Sequence, residues 1–293
     1  MIYSIFPSKD ATLYEKNASL NSGIDEILEL TKIVSASNTP NIFNTRIAID
    51  FDTTAVSASV ASNEISASDG TPAKYYLKMF NIAQEQVPHN YTLEAAPISE
   101  SWSMGLGRTT HIPATKAGVS WTYRHSYAVN DEWYTAGGTI YTPLEYKATQ
   151  EFTNASGDIN MDVTSIITGS WSGSDIDALS NGILIKRPEA QESNGTRYGS
   201  LKYFSKETHT IYSPRLEVMW DDSQFITGSL AALEADNISI RTTNLASEYK
   251  EQSKARIGIL ASELYPNRTY TTTSTTALPE YLPSTSYYAI IDA

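Results

Sequence analysis

Cysteine is absent from the 293 residues. That excludes disulfide staples, thiolate metal ligation and a cysteine nucleophile. Charge is sparse and lopsided: 21 Lys and Arg stand against 33 Asp and Glu, a net charge of −12. A surface of that sign repels phosphate, so no nucleic-acid partner is expected. No apolar run approaches the roughly 20 residues that a membrane-spanning helix needs. "MIYSIFPSKD" has neither a basic start nor an apolar stretch of signal-peptide length, so no membrane partner is expected. Histidine is limited to His89, His111, His125 and His209, widely spaced and without an H-x-x-x-H pair, which argues against zinc. "GLGRTT" (105–110) lacks the Gly-Lys pair of a phosphate loop. "GSWSG" (169–173) carries Trp171 where a nucleophile elbow needs serine. These absences lead to the expectation of a non-enzyme with no resident cofactor.

What is present favours strands. Hydrophobic residues make up 41% of the chain, enough for a core, and 19 tyrosines accompany dense Ser and Thr. Alternating segments recur between turn residues: "RIAIDFD" (46–52), "KYYLKMF" (74–80), "GILIKR" (182–187) and "RLEVMW" (215–220). Further strands are expected at 11–15, 26–31, 92–96, 144–152, 237–242, 255–261 and 286–291. Helical patterns are confined to "DVTSIITGSW" (162–171) and "SLAALEAD" (229–236). Two long polar connections, 53–72 and 103–140, read as loops that are functional or that pack on a partner. A boundary near 221–228 separates two expected domains. They are an all-β, jelly-roll-like sandwich over 1–221 and a small β-rich, Ig-like domain over 222–293.

Three sets of residues are candidate sites. In "TRIAIDFD" (45–52), Ile47, Ile49 and Phe51 share one face of a strand, and Ala48, Asp50 and Asp52 share the other. Paired acids can hold Ca²⁺ or move protons, but a solvent-facing row is the simpler expectation. In "DINMDV" (158–163), Asp158, Asn160 and Asp162 have the first ligand spacings of an EF-hand, yet Val163 and Gly169 stand where Gly and Glu are required. That leaves a looser Ca²⁺ site, or a turn with Asp162 capping the helix that follows. Finally, the tryptophans and tyrosines can serve as core, as interface anchors or as a sugar-stacking platform. Trp121, Trp133, Tyr134, Tyr281, Tyr287 and Tyr288 are the candidate interface residues.

Four segments, in order, resemble the disaggregatase-related (DNRLRE-type) β-sandwich family, a jelly-roll also classed among carbohydrate-binding modules. "PSKDATLYE" (7–15), with Asn21 and Gly23 after it, is similar to the opening strand. "RIAIDFD" is similar to a central R-x-L-x-x-F-D strand. "DVTSIITGSWSGSDIDALSNGILIKR" (162–187) resembles a D-[VI]-T…W…N-x-G-[IL] stretch, and "YFSKETHTIYSPRLEV" (203–218) resembles the close. The insertions at 53–72 and 103–140 depart from that pattern. The resemblance implies that Ile47, Ile49 and Phe51 pack inward while Arg46, Asp50 and Asp52 set the register and the wet side.

The opening 4–30 and the tail "LYPNRTY…YLPSTSYYAIIDA" (264–293) resemble virion proteins of tailed, myovirus-like phages. This implies a structural protein of the neck, tail, baseplate or capsid surface, assembled in the host cytoplasm. Its partners would be other virion proteins and copies of itself. The 103–140 loop and the 264–293 tail are the expected contact elements, with 286–291 adding a strand to a neighbour. The alternative is a carbohydrate-binding module whose partner is a host glycan.

Overall fold

The computed structural model describes residues 1–35, 41–62, 64–65, 72–153, 157–171, 179–221, 238–250, 254–265, 281–282 and 286–289. Two units share the chain, Met1–Ser223 and Gln224–Ala293. The first unit is all-β and sandwich-like. Its strands are β1 (Ile2–Ile5), β2 (Pro7–Tyr14), β3 (Ile27–Val34), β4 (Ile42–Phe51), β5 (Lys74–Met79) and β6 (Asn81–Glu85). They continue with β7 (Asn90–Pro97), β8 (Ala148–Thr153), β9 (Ile159–Asp162), β10 (Ile183–Lys186), β11 (Gly199–Phe204) and β12 (Arg215–Met219). One sheet has the order β1-β12-β5-β9. The other runs β6-β11-β3-β4-β10-β7-β8, with β2 also paired to β4, and it curls into a half-barrel.

Alternation explains the main core. Tyr75, Leu77 and Met79 on β5 and Leu216 and Val218 on β12 face Ile47, Ile49 and Phe51 on β4. Ile183, Ile185, Leu28 and Leu30 complete the layer from β10 and β3. Burying such side chains contributes about 1.5–3 kcal/mol each. β3 pairs with β4 only through Lys32–Val34, and β2 takes over the same edge of β4 beyond it. Where β3 peels away, threonine hydroxyls replace the ladder: Thr12 Oγ1 accepts the Glu29 N–H, and Thr45 Oγ1 accepts the Thr31 N–H. β3 therefore changes neighbours without leaving these backbone donors unpaired.

Several expectations need correction. The connection at 53–72 is not wholly a loop, since α1 (Thr54–Ala61) forms at its start. Val56 is buried in the core, and Asp52 Oδ1 accepts the Thr54 N–H at 3.0 Å. The expected strand 144–152 begins with a 3₁₀ turn, Leu144–Tyr146, before β8. The helix expected at 162–171 narrows to α2 (Thr164–Gly169), and a short α3 (Glu189–Ser193) follows β10. In the second unit, β13 (Ile238–Thr242) pairs antiparallel with β14 (Ile259–Glu263), so the strand expected from 255 starts later. Ser286–Ala289 form no strand, and 290 and 291 lie outside the described residues. The helix expected at 229–236 and the boundary at 222–228 also lie outside them.

Asp10 on β2 is buried, with Oδ2 accepting the Lys206 N–H at 2.7 Å and Oδ1 unpaired. Burial raises its pKa to about 7, partly offset by that hydrogen bond and the Lys206 charge. The unfolded chain ionises this carboxyl near its ordinary value of 3.8, so the folded state holds the proton longer. Stability from this group is therefore lost as pH rises from about 4 towards 7. Asp10→Asn keeps an acceptor for Lys206 and removes the titration. Urea melts across that range are expected to show the variant gaining on the parent with rising pH; a constant difference contradicts the assignment.

Candidate functional site: a covered sheet face and an end cleft

The outer face of β4 is dry. Ala11, Ala48, Leu184 and Ala96 form one row across β2, β4, β10 and β7, and all four are fully buried. The segment 99–140 lies over this row and forms a second core with Ile98, Trp102, Val119, Trp121 and Trp133. The wet side expected for Ala48 is thus overturned: both faces of β4 are packed over residues 47–49, while 42–46 and Asp50 are half-buried and Asp52, just past the strand, is exposed.

One buried side chain holds the covering segment. Asn21 Nδ2 donates to the Met104 carbonyl at 2.7 Å and to the Val119 carbonyl at 2.8 Å. Its Oδ1 accepts the Gly107 N–H at 2.7 Å. Gly105 and Gly118 pass against this amide with φ of +78° and +114°, a backbone state that glycine reaches without strain. A Cβ on Gly118 would sit 2.7 Å from Asn21 Nδ2. The covering segment is irregular: isolated bridges and turns pair part of its backbone, and the Asn21 side chain pairs the Met104 and Val119 carbonyls and the Gly107 N–H.

Beside the dry row lies a row of paired charges. Arg46 on β4 meets Glu192 of α3 through two hydrogen bonds, at 2.7 and 3.1 Å. Its third nitrogen donates to the Gly137 carbonyl, and its guanidinium lies 4.9 Å from the Trp121 ring centre. Lys186 on β10 stands 3.0 Å from Glu94 on β7 and 3.7 Å from Glu192, and Lys147 stands 3.2 Å from Glu94. Charges this dry persist because each is paired.

These contacts settle where the expected aromatic residues lie. Trp121 and Trp133 are 8% and 5% exposed, so neither serves as an exposed stacking or interface residue. The Trp133 indole donates to the Ser120 carbonyl at 3.0 Å. Tyr134, next in sequence, is 90% exposed. Tyr287 and Tyr288 are exposed, and Tyr281 is half-buried. Asp158, Asn160 and Asp162 lie at or along β9 with exposed side chains, one every second residue, so the strand spreads them apart. Asp158 Oδ1 accepts the Asn81 N–H, and Asp162 Oδ1 accepts both the N–H and the hydroxyl of Thr164. Asp162 thus orders the turn into α2, while Val163 occupies the cap position. Among the described residues, no group of three or more His, Asp or Glu is placed to hold a metal ion.

Asp50 and Asp52 part company at the strand end. Asp50 pairs with Lys9 at 3.4 Å and accepts the Phe51 N–H at 2.9 Å. Burial raises its pKa, and the Lys9 charge opposes that shift. Asp52 is exposed, and its bonds to Thr54 hold its pKa below the ordinary carboxylate range. Both acids line a cleft of about 510 Å³ between the ends of β4 and β10 and helices α1 and α2. Its lining includes Trp171, whose indole donates to Thr53 Oγ1 at 3.0 Å and whose ring meets Tyr75 edge-on at 5.3 Å. Sequence reading found both acids but not the cleft, because its walls come from three distant segments.

The chain matches no protein-family model and no curated protein. The likeness to disaggregatase-related domains therefore rests on the four quoted segments. In the structure these span β2, β4, the stretch from α2 to β10, and the stretch from β11 to β12.

Two substitutions test this construction. Asn21→Ala removes the partner of two carbonyls and of two N–H groups, Gly107 and, at 3.4 Å, Gly23, in a buried site, at about 1–3 kcal/mol for each group left unpaired. A loss of about 3 kcal/mol or more in denaturant unfolding is expected, together with faster proteolysis of the 103–119 segment. Glu192→Ala strips Arg46 of its carboxylate and is expected to cost about 3–5 kcal/mol. A loss under about 1 kcal/mol for either variant, the level of an ordinary surface site, contradicts its role.

Proposed function

We propose that this protein is a non-enzymatic structural component of a tailed-phage particle. Its place is an accessory position on the neck, tail or baseplate, or a decoration of the capsid, and it works by docking against copies of itself and other virion proteins. The observation that carries this reading is the apolar surface of the second unit. Among the described residues of that unit, β13 and β14 pair as two strands with Ile240, Ile259 and Leu260 exposed, Leu264 and Tyr265 after them are exposed as well, and Ala261 is the one buried hydrophobic. A two-stranded sheet is marginal alone in water and gains stability when a partner covers it. Ile240 and Ile259 share one face of the pair and Leu260 lies on the other, so both faces offer apolar side chains to a partner. Repeated copies then gain strength through multivalency. The resemblance of the opening and tail segments to virion proteins supplies the kind of particle.

The glycan alternative, in its form as a platform of Trp121, Trp133 and Tyr134, loses support because only Tyr134 is exposed. Purified particles are expected to contain the chain in fixed stoichiometry. A copy number following the rotational symmetry of the tail places it on the tail or neck, and one following the shell lattice places it on the capsid. The double variant Ile240→Asp, Leu260→Asp is expected to leave the first unit folded and to abolish incorporation. Recovery of particles without the chain, or normal incorporation of the variant, overturns the proposal.

A further inference from the structure

Two lysines are buried among the described residues, Lys32 and Lys186. Lys186 is paired with Glu94 and Glu192. Lys32, on β3, meets carbonyl oxygens instead. Its Nζ donates to the Gln191 carbonyl at 2.5 Å, to the Asn194 main-chain carbonyl, and to Asn194 Oδ1 at 2.9 Å. A second buried cation stands close by: the Tyr198 ring centre is 5.3 Å from Lys32 Nζ and 5.1 Å from the Arg187 guanidinium. Burial pushes the Lys32 amine below its ordinary pKa, the Arg187 charge adds to this, and the Glu192 charge opposes it. The neutral amine, which is the nucleophilic form, is therefore easier to reach here than on a surface lysine. A neutral amine keeps two N–H groups and one lone pair. The two main-chain carbonyls accept the N–H groups, which leaves the lone pair for the Asn194 side chain.

The Asn194 carboxamide is held at its other atoms as well. Oδ1 accepts the Thr196 N–H at 2.9 Å, and Nδ2 donates to the Tyr198 hydroxyl at 3.5 Å. One amide carbon is thus surrounded by an amine, a donor on its carbonyl oxygen and a hydroxyl at its nitrogen. These are the nucleophile, the oxyanion donor and the acid that an acyl transfer needs.

We propose that Lys32 and Asn194 form a modification site, at which their side chains join in an isopeptide bond. The neutral Nζ attacks Asn194 Cγ, and the carbonyl electron pair moves onto Oδ1, where the Thr196 N–H holds the developing charge. The Tyr198 hydroxyl gives a proton to Nδ2. The carbonyl re-forms as the Cγ–Nδ2 bond breaks, and ammonia leaves. The proton that Nζ sheds returns to the hydroxyl through solvent, which reaches the half-buried Asn194. One amide replaces another, so the step needs no oxidant and no co-reactant. The product ties β3 to the connection between α3 and β11, a covalent staple in a chain whose lack of cysteine excludes disulfides. It lies wholly within the first unit and does not depend on the assembly reading.

The test is mass spectrometry of the purified full chain after prolonged incubation at mildly alkaline pH, which supplies the neutral amine. The expected result is an intact mass below the sequence value by one ammonia. Proteolytic digestion is expected to yield a branched peptide joining the segments around Lys32 and Asn194. Lys32→Arg and Asn194→Ala are each expected to keep the full sequence mass. Tyr198→Phe retains the ring and removes the hydroxyl, and is expected to slow cross-linking roughly a hundredfold, the scale of general acid catalysis. A parent chain whose Lys32 stays unmodified after that incubation overturns the proposal, since a lysine that only binds the carbonyls at the end of α3 gives that result. So does a loss of ammonia confined to Asn194 and Gly195, the mark of a succinimide, or hydrolysis of the Asn194 amide without a branched peptide. Cross-linking of Tyr198→Phe at the parent's rate overturns the role given to Tyr198.

Discussion

The double burial of β4 is the constraint from which the rest of the first unit follows. Its odd-numbered residues Ile47, Ile49 and Phe51 enter the core between the sheets, while Ala48 enters a second core beneath the 99–140 segment. A strand packed on both faces cannot leave a charge unpaired on either side. Arg46, on the same face as Ala48, is accordingly matched by Glu192, the Gly137 carbonyl and the Trp121 ring. The neighbouring Lys186 and Glu94 solve the same problem on β10 and β7. The long segment is thus a third layer of the sandwich, fastened by Asn21 and by the charge row.

That layer redistributes the surfaces available for function. The tryptophans that a sequence reading offers to a partner are spent within the chain. Exposed aromatic and aliphatic groups remain on the covering segment at Leu106, Ile112, Tyr127 and Tyr134, on β1 at Ile2 and Tyr3, and in the second unit around β13 and β14. The cleft at the end of β4 arises for a related reason. Where the sheet ends, α1 and α2 turn over it, and the polar residues that start and stop those helices line the space between them. Asp52 illustrates the economy: it orders the first turn of α1 and still presents an oxygen to the cleft.

The strands were legible wherever one face is apolar and the other polar. β5 and β12 are of this kind, with Tyr75, Leu77 and Met79 inward and Lys74 and Lys78 outward. β9 was hidden because Asp158, Asn160 and Asp162 look like ligands when the intervening Ile159 and Met161 are not weighed as core. α1 was hidden because its Ser- and Ala-rich sequence offers little apolar stripe beyond Val56 and Val60. β6 and β11 were missed for another reason. Their inward residues are too few to alternate visibly: β6 buries none, and β11 buries Leu201 and Tyr203.

By itself the sequence determined the strand content, the absence of thiol chemistry and the inward set on β4, because side-chain alternation is a local property of an extended chain. Tertiary structure alone decided that the opposite face of β4 is dry, that Trp121 and Trp133 are core, and that Asp50 and Asp52 border a cleft with Trp171. Each of those outcomes depends on segments about 50 to 120 residues apart in sequence coming together. Such meetings are fixed by the packing of whole layers, which no local pattern encodes.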